Sequence, residues 1–122
     1  MAEPIRPLIE VYWTGSLFSE TLRQRLAEGM EEEGVPYRFS EQPANDAVSL
    51  SSQAAHASTL EVGVGLDAQG NMAVHTRRLP VDQPLFLAAW PHDAATMRRF
   101  GSHAARLVKG LPFRLNEQEG NA

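Results

Sequence analysis

Glu61-Val62-Gly63-Val64-Gly65-Leu66-Asp67-Ala68-Gln69-Gly70-Asn71-Met72-Ala73-Val74-His75 is the stretch on which the fold turns. Gly63 to Ala68 fits the letters of the dinucleotide-binding fingerprint. That chemistry needs the glycines to lead into a helix whose N-terminus meets the pyrophosphate. Gln69-Gly70-Asn71 follow instead, and they form a turn, so no helix dipole is available and a nucleotide site is rejected. Two extended runs, Glu61–Leu66 and Asn71–His75, flank a short Asp/Gly turn. They predict an antiparallel hairpin.

Upstream of this hairpin the pattern alternates. Leu8-Ile9-Glu10-Val11-Tyr12 is β-rich and reads as a first strand, with Trp13-Thr14-Gly15-Ser16 as the turn after it. From Leu17 to about Glu33, Phe18, Leu22, Leu26 and Met30 recur every four positions and share one helical face. Ser16 or Ser19 can cap this helix, while Gly34 and Pro36 stop it. Pro36 to Phe39 reads as a second strand. Asn45 or Asp46 caps a second helix, Ala47 to about Ser58, whose Ala/Ser composition lets it lie close against a sheet.

Downstream, Leu79 to Pro84 is a loop. Leu85-Phe86-Leu87-Ala88-Ala89-Trp90 is apolar throughout, the pattern of a strand covered on both faces. Asp93 caps a last helix carrying Ala94, Met97, Phe100, Ala104, Leu107 and Val108 on its apolar positions. Gly101 inside it marks a break or a close packing contact. Lys109-Gly110-Leu111-Pro112 ends the helix, and residues 116–122 form a polar tail. Helices alternating with short strands indicate an α/β sandwich with one antiparallel strand contributed by the hairpin.

Size and composition narrow the function. The chain has 122 residues, net charge −4, 43% apolar residues and no cysteine. One domain spanning 1–122 is expected at that length. The missing cysteines remove a disulfide framework, a thiolate nucleophile and every Cys-based metal site. A mildly acidic chain without a basic stripe makes nucleic acid an unsuitable partner. Neither a membrane span nor a signal pattern is present, so a cytoplasmic location is expected. No Walker A sequence, nucleophile elbow or Glu/His zinc motif occurs, and an independent active site is not expected. His56, His75, His92 and His103 include no pair at i, i+3 or i, i+4, so they read as surface or hydrogen-bonded histidines.

Glu31-Glu32-Glu33 is the most informative local feature. It occupies the last turn of the first helix, where the dipole favours cations. Two readings stand: a solvated acidic helix end, or a surface for a metal or basic partner. Successive helical residues diverge by about 100°, so three consecutive glutamates cannot all grip one ion. One or two could, as suits Mg²⁺, with the remaining ligands drawn from another chain.

Met30-Glu31-Glu32-Glu33-Gly34-Val35-Pro36-Tyr37-Arg38, the segment from Leu79-Pro80 to Pro84-Leu85-Phe86, and Ala104-Ala105-Arg106-Leu107-Val108-Lys109-Gly110-Leu111-Pro112-Phe113-Arg114 together resemble the small subunit of diol/glycerol dehydratase reactivating factors. The likeness runs from about Val11 to Arg114. Ser102-His103 depart from the family pattern, where amide residues are expected. The related medium subunit of the B12-dependent dehydratases shares the domain on a longer chain.

The resemblance implies a three-layer α/β/α sandwich with a mixed, mostly parallel five-stranded sheet and one antiparallel strand. It implies a non-catalytic subunit working with a large, chaperone-like ATPase subunit to release damaged cobalamin from an inactivated adenosylcobalamin-dependent dehydratase, exchanging places with a dehydratase subunit. Carried over by position, Glu32 contributes to a Mg²⁺ site at the junction with the large subunit. Glu31, Glu33, Arg38 and Arg114 are then candidate interface residues, with Lys109 equally explained as ordinary helix termination. ATP or ADP enters only through the partner, and no cobalamin is bound directly. A dehydratase component and a stand-alone small-molecule binding module remain as other readings. Diol versus glycerol as the client's substrate, and free cytoplasm versus a bacterial microcompartment, stay open.

Overall fold

Eight elements succeed one another in the computed structural model, which describes residues 7–110. They are β1 (Ile9–Trp13), α1 (Glu20–Glu32), β2 (Tyr37–Glu41), α2 (Ala47–Ala57), β3 (Val62–Leu66), β4 (Met72–Thr76), β5 (Phe86–Ala88) and α3 (Ala94–Lys109). The five strands form one sheet in the order β2-β1-β3-β4-β5. β1 runs parallel to both β2 and β3, and β4 is antiparallel to its neighbours β3 and β5. The expected mixed sheet with a single reversed strand is therefore present, and the hairpin supplies that strand.

Local chemistry sets the boundaries. Ser19 caps α1 by accepting from Leu22 N, so the helix begins after Phe18 rather than at Leu17. Phe18 is nonetheless buried, stacked on His92 and edge-on to Trp90. Trp13, expected in a turn, extends β1 and pairs with Glu41 and Leu66. Asp46 and Asp93 cap α2 and α3, and Gly110 takes the left-handed conformation after α3.

The pleat divides the sheet's side chains between two layers. Ile9, Val11, Val62, Val64, Leu66, Met72 and Val74 join Leu26, Met30, Met97, Phe100 and Ala104 in the core under α1 and α3. Gly63 and Gly65 point the other way, against α2. A β-carbon on Gly63 would lie 2.2 Å from Ala55 N, and one on Gly65 would lie 2.3 Å from Ala47 O. The glycines that imitate a nucleotide fingerprint thus let an Ala/Ser helix settle directly onto the strands.

One expectation is corrected. The apolar run Leu85–Trp90 is not a strand covered on both faces: β5 keeps only Phe86–Ala88 at the sheet edge, and Leu87 is 59% exposed. α2 packs on β1, β3 and β4, and Leu87 stands on the face beyond its reach. Only Phe86 and Ala88 turn toward the core. No helix among the described residues is long and apolar enough to cross a membrane.

Candidate functional site

α1 and α3 are the most closely packed pair of helices in the fold, and glycines set their spacing. A β-carbon on Gly29 would lie 2.0 Å from Arg98 O, and one on Gly101 would lie 2.0 Å from Leu26 O. Gly101 is therefore a packing contact rather than a break. This proximity brings the basic face of α3 against the acidic end of α1.

The three consecutive glutamates separate as their helical angles require. Glu31 accepts from the Tyr37 hydroxyl on β2. Glu32 pairs with Arg98 of α3, whose Nε also lies 3.7 Å from Glu28. Glu33, with a side chain only 6% exposed, accepts from Ser102 Oγ at 3.0 Å and Arg106 Nε at 3.1 Å. Lys109 Nζ donates to the Glu33 carbonyl at 2.8 Å and lies 3.4 Å from its carboxylate. α1 carries no basic residue in its last turn; α3 supplies the cations that the helix end favours.

Burial opposes charging Glu33, but the Ser102 hydrogen bond and the Arg106 and Lys109 charges outweigh it and hold the carboxyl below its ordinary pKa. Tyr37 moves the opposite way. Burial first, then the hydrogen bond to Glu31 and its charge, push the phenol up to about 12. At the neighbouring sheet edge, Arg38 embraces both oxygens of the buried Glu10, with Nε 3.2 Å from Oε1, while its own side chain stays 62% exposed.

Among the described residues, no three His, Asp or Glu side chains converge as a metal cage. Glu32 is the carboxylate of the run that points outward, beside a groove of about 320 Å³ lined by Ala95, Arg98, Arg99 and Ser102. Such an arrangement fits one protein ligand to a shared cation, with most of the coordination sphere supplied from outside. Arg114 lies outside the described residues.

Residues 6–114 match the family described as dehydratase medium subunit. The chain is 44% identical over 86 residues to the propanediol dehydratase-reactivating factor small subunit of Salmonella typhimurium, covering 70% of this chain and 73% of that one. It is 35% identical over 108 residues to the probable glycerol dehydratase-reactivating factor small subunit of Citrobacter freundii, covering 88% and 92%. The chain belongs to this family of reactivating-factor small subunits.

Solved structures agree with the assignment. A structure titled glycerol dehydratase reactivase superposes with a TM-score of 0.85 at 32% identity, over 90% of this chain and 98% of that one. Another, titled diol dehydratase-reactivating factor complexed with ADP and Mg²⁺, gives 0.82 at 37% identity, over 91% and 100%.

In this reactivase small-subunit fold, the sequence pointed to Glu31–Glu33 but not to their partners. Arg98, Ser102, Arg106 and Lys109 fall at i, i+4, i+8 and i+11, so a single polar stripe on α3 was the available signal. Ser102 and His103, the departures from the family pattern, both face inward. Ser102 binds Glu33, and the His103 ring lies against Phe86 and Phe100.

Proposed function

We propose that this chain is the non-catalytic small subunit of a chaperone-like, ATP-dependent reactivating factor. The factor releases damaged cobalamin from an inactivated adenosylcobalamin-dependent diol or glycerol dehydratase. ATP is hydrolysed in the large partner subunit, and this chain exchanges places with a dehydratase subunit during the cycle. The work takes place in the cytoplasm or in a microcompartment within it. The observation that carries the reading is the near end-to-end likeness to a reactivase structure, covering 98% of that chain at a TM-score of 0.85.

Glu32 supplies one carboxylate to a Mg²⁺ ion shared with the large subunit. Its outward position and the Mg²⁺ bound by a related factor support this role. When bound, the ion neutralises carboxylates gathered from two chains and so ties subunit affinity to Mg²⁺. Glu31, Arg38 and Arg114 flank this contact.

Co-expression with the large-subunit homologue encoded nearby should give a stable complex that restores an inactivated dehydratase. Absence of any complex overturns the reading. Glu32→Ala should weaken the association in Mg²⁺ while the isolated chain stays folded. An unchanged Glu32→Ala complex beside a weakened Glu31→Ala complex would remove Glu32 from the metal.

A further inference from the structure

Arg98 stands between two carboxylates of α1. Its terminal nitrogen pairs with Glu32 Oε1, and its Nε lies 3.7 Å from Glu28 Oε1. Glu28 and Glu32 are one turn apart on the same helical face. Glu28 is already held by Arg25, with 2.7 Å between the Arg25 terminal nitrogen and Glu28 Oε2. The Arg98 backbone is pinned, because its carbonyl abuts Gly29. Its side chain is 51% exposed and free to swing.

A guanidinium does not lose its proton, so it cannot share a carboxylate oxygen with a cation and must move aside. Moving Arg98 into water would abandon both partners, whereas moving it one turn back keeps it paired.

We propose that Arg98 is a two-position latch: it occupies Glu32 in the free chain and steps back onto Glu28 when Mg²⁺ and the large subunit take Glu32. This inference rests on the metal role of Glu32 and adds the residue that regulates access to it. Exposed ion pairs are individually weak, which suits a contact that must exchange. Arg98 is a positioning residue, and the latch sets the Mg²⁺ concentration at which the subunits associate.

The test measures association of the full chain with its large subunit as Mg²⁺ is titrated. Arg98→Gln should lower the half-saturating Mg²⁺ about two- to fivefold, the range expected for one exposed pair. Glu28→Gln should raise it by a similar factor, because Arg98 then has only Glu32. The double variant should return to the Arg98→Gln value. Arg98→Lys, a point charge that cannot span both carboxylates, should fall between wild type and Arg98→Gln. The thermal midpoint of the isolated chain should hardly change in these variants, which separates the latch from a structural role.

Glu32→Gln distinguishes the two levels. Full Mg²⁺ dependence in Glu32→Gln overturns the metal role itself. Loss of that dependence, with Arg98→Gln and Glu28→Gln unmoved or shifted in the same direction, overturns the latch alone.

Discussion

The Glu33 carboxylate accepts a hydrogen bond from Arg106 Nε at 3.1 Å, joining the end of α1 to the last turns of α3 across 73 positions of sequence. Ser102 and Lys109 close around the same carboxylate. An acid at a helix C-terminus is unfavourable on its own helix. Here it caps a tertiary contact instead.

The sign of its pH dependence follows from the lowered pKa. Glu33 binds its proton more weakly when folded than at the ordinary value of 4.5. Its contribution is therefore complete above that value and disappears as pH falls through the folded pKa. Urea unfolding of wild type should show stability declining below about pH 4.5, and Glu33→Gln should flatten part of that decline. At neutral pH, Glu33→Gln should cost about 1–2 kcal/mol by weakening a charged hydrogen-bond set. Identical acid profiles for the two proteins would contradict the assignment.

The crossing of α1 and α3 makes a second prediction with an unusual sign. Ala in place of Gly normally stabilises a helix interior by about 1 kcal/mol. At Gly29 and Gly101 the added β-carbon would meet a backbone carbonyl oxygen at 2.0 Å. Gly29→Ala and Gly101→Ala should each destabilise by roughly 1–3 kcal/mol as the helices are forced apart. Gly34→Ala, whose β-carbon meets nothing within 4 Å, should suffer only the strain of its φ of +74°. Equal losses at all three sites would mean that the crossing is looser than described.

What could be read in advance divides along physical lines. The hairpin, the α1 face and the caps at Ser19, Asp46 and Asp93 depend on residues close in sequence, and period and turn chemistry expose them. The extent of β5 does not. Whether Leu87 is covered depends on how far α2 reaches across the sheet, a tertiary fact with no local signature. The glutamate run shows the same division. Its divergence was dictated by the helix, but its pairing with Arg98 and Arg106 required knowing that Gly29 and Gly101 bring α3 alongside. The reason for Gly63 and Gly65 emerged only when α2 was seen to lie on them.

Asp67 ties the hairpin to that same helix. Its Oδ1 accepts from Gln69 N and Asn71 N at 3.0 and 2.8 Å, and its Oδ2 accepts from Ala47 N and Asn71 Nδ2 at 3.1 Å each. Both oxygens are used, so an amide must present N–H to N–H in either orientation. Asp67→Asn should cost about 1–3 kcal/mol, read as a lower urea midpoint at unchanged slope. A loss below about 0.5 kcal/mol, the level of an ordinary surface change, would show that the turn holds α2 by other means.

Tyr12 and Tyr37 are the two tyrosines of the chain, and both are raised. Burial and then Glu10 lift Tyr12, with Arg38 opposing; burial and then Glu31 lift Tyr37 to about 12. In the folded protein, phenolate absorbance should therefore stay low through pH 10 and rise well above it. A phenol whose folded pKa exceeds its unfolded value stabilises fully below the unfolded value of 10. That contribution is lost as pH climbs through the folded pKa. Glu31→Gln should move the Tyr37 midpoint down by removing the anion while leaving burial in place. Tyr37→Phe should delete that transition and leave the Tyr12 one. Two phenols titrating together near pH 10 in the folded chain would disprove the Tyr37–Glu31 contact and, with it, the docking of the α1 terminus on β2.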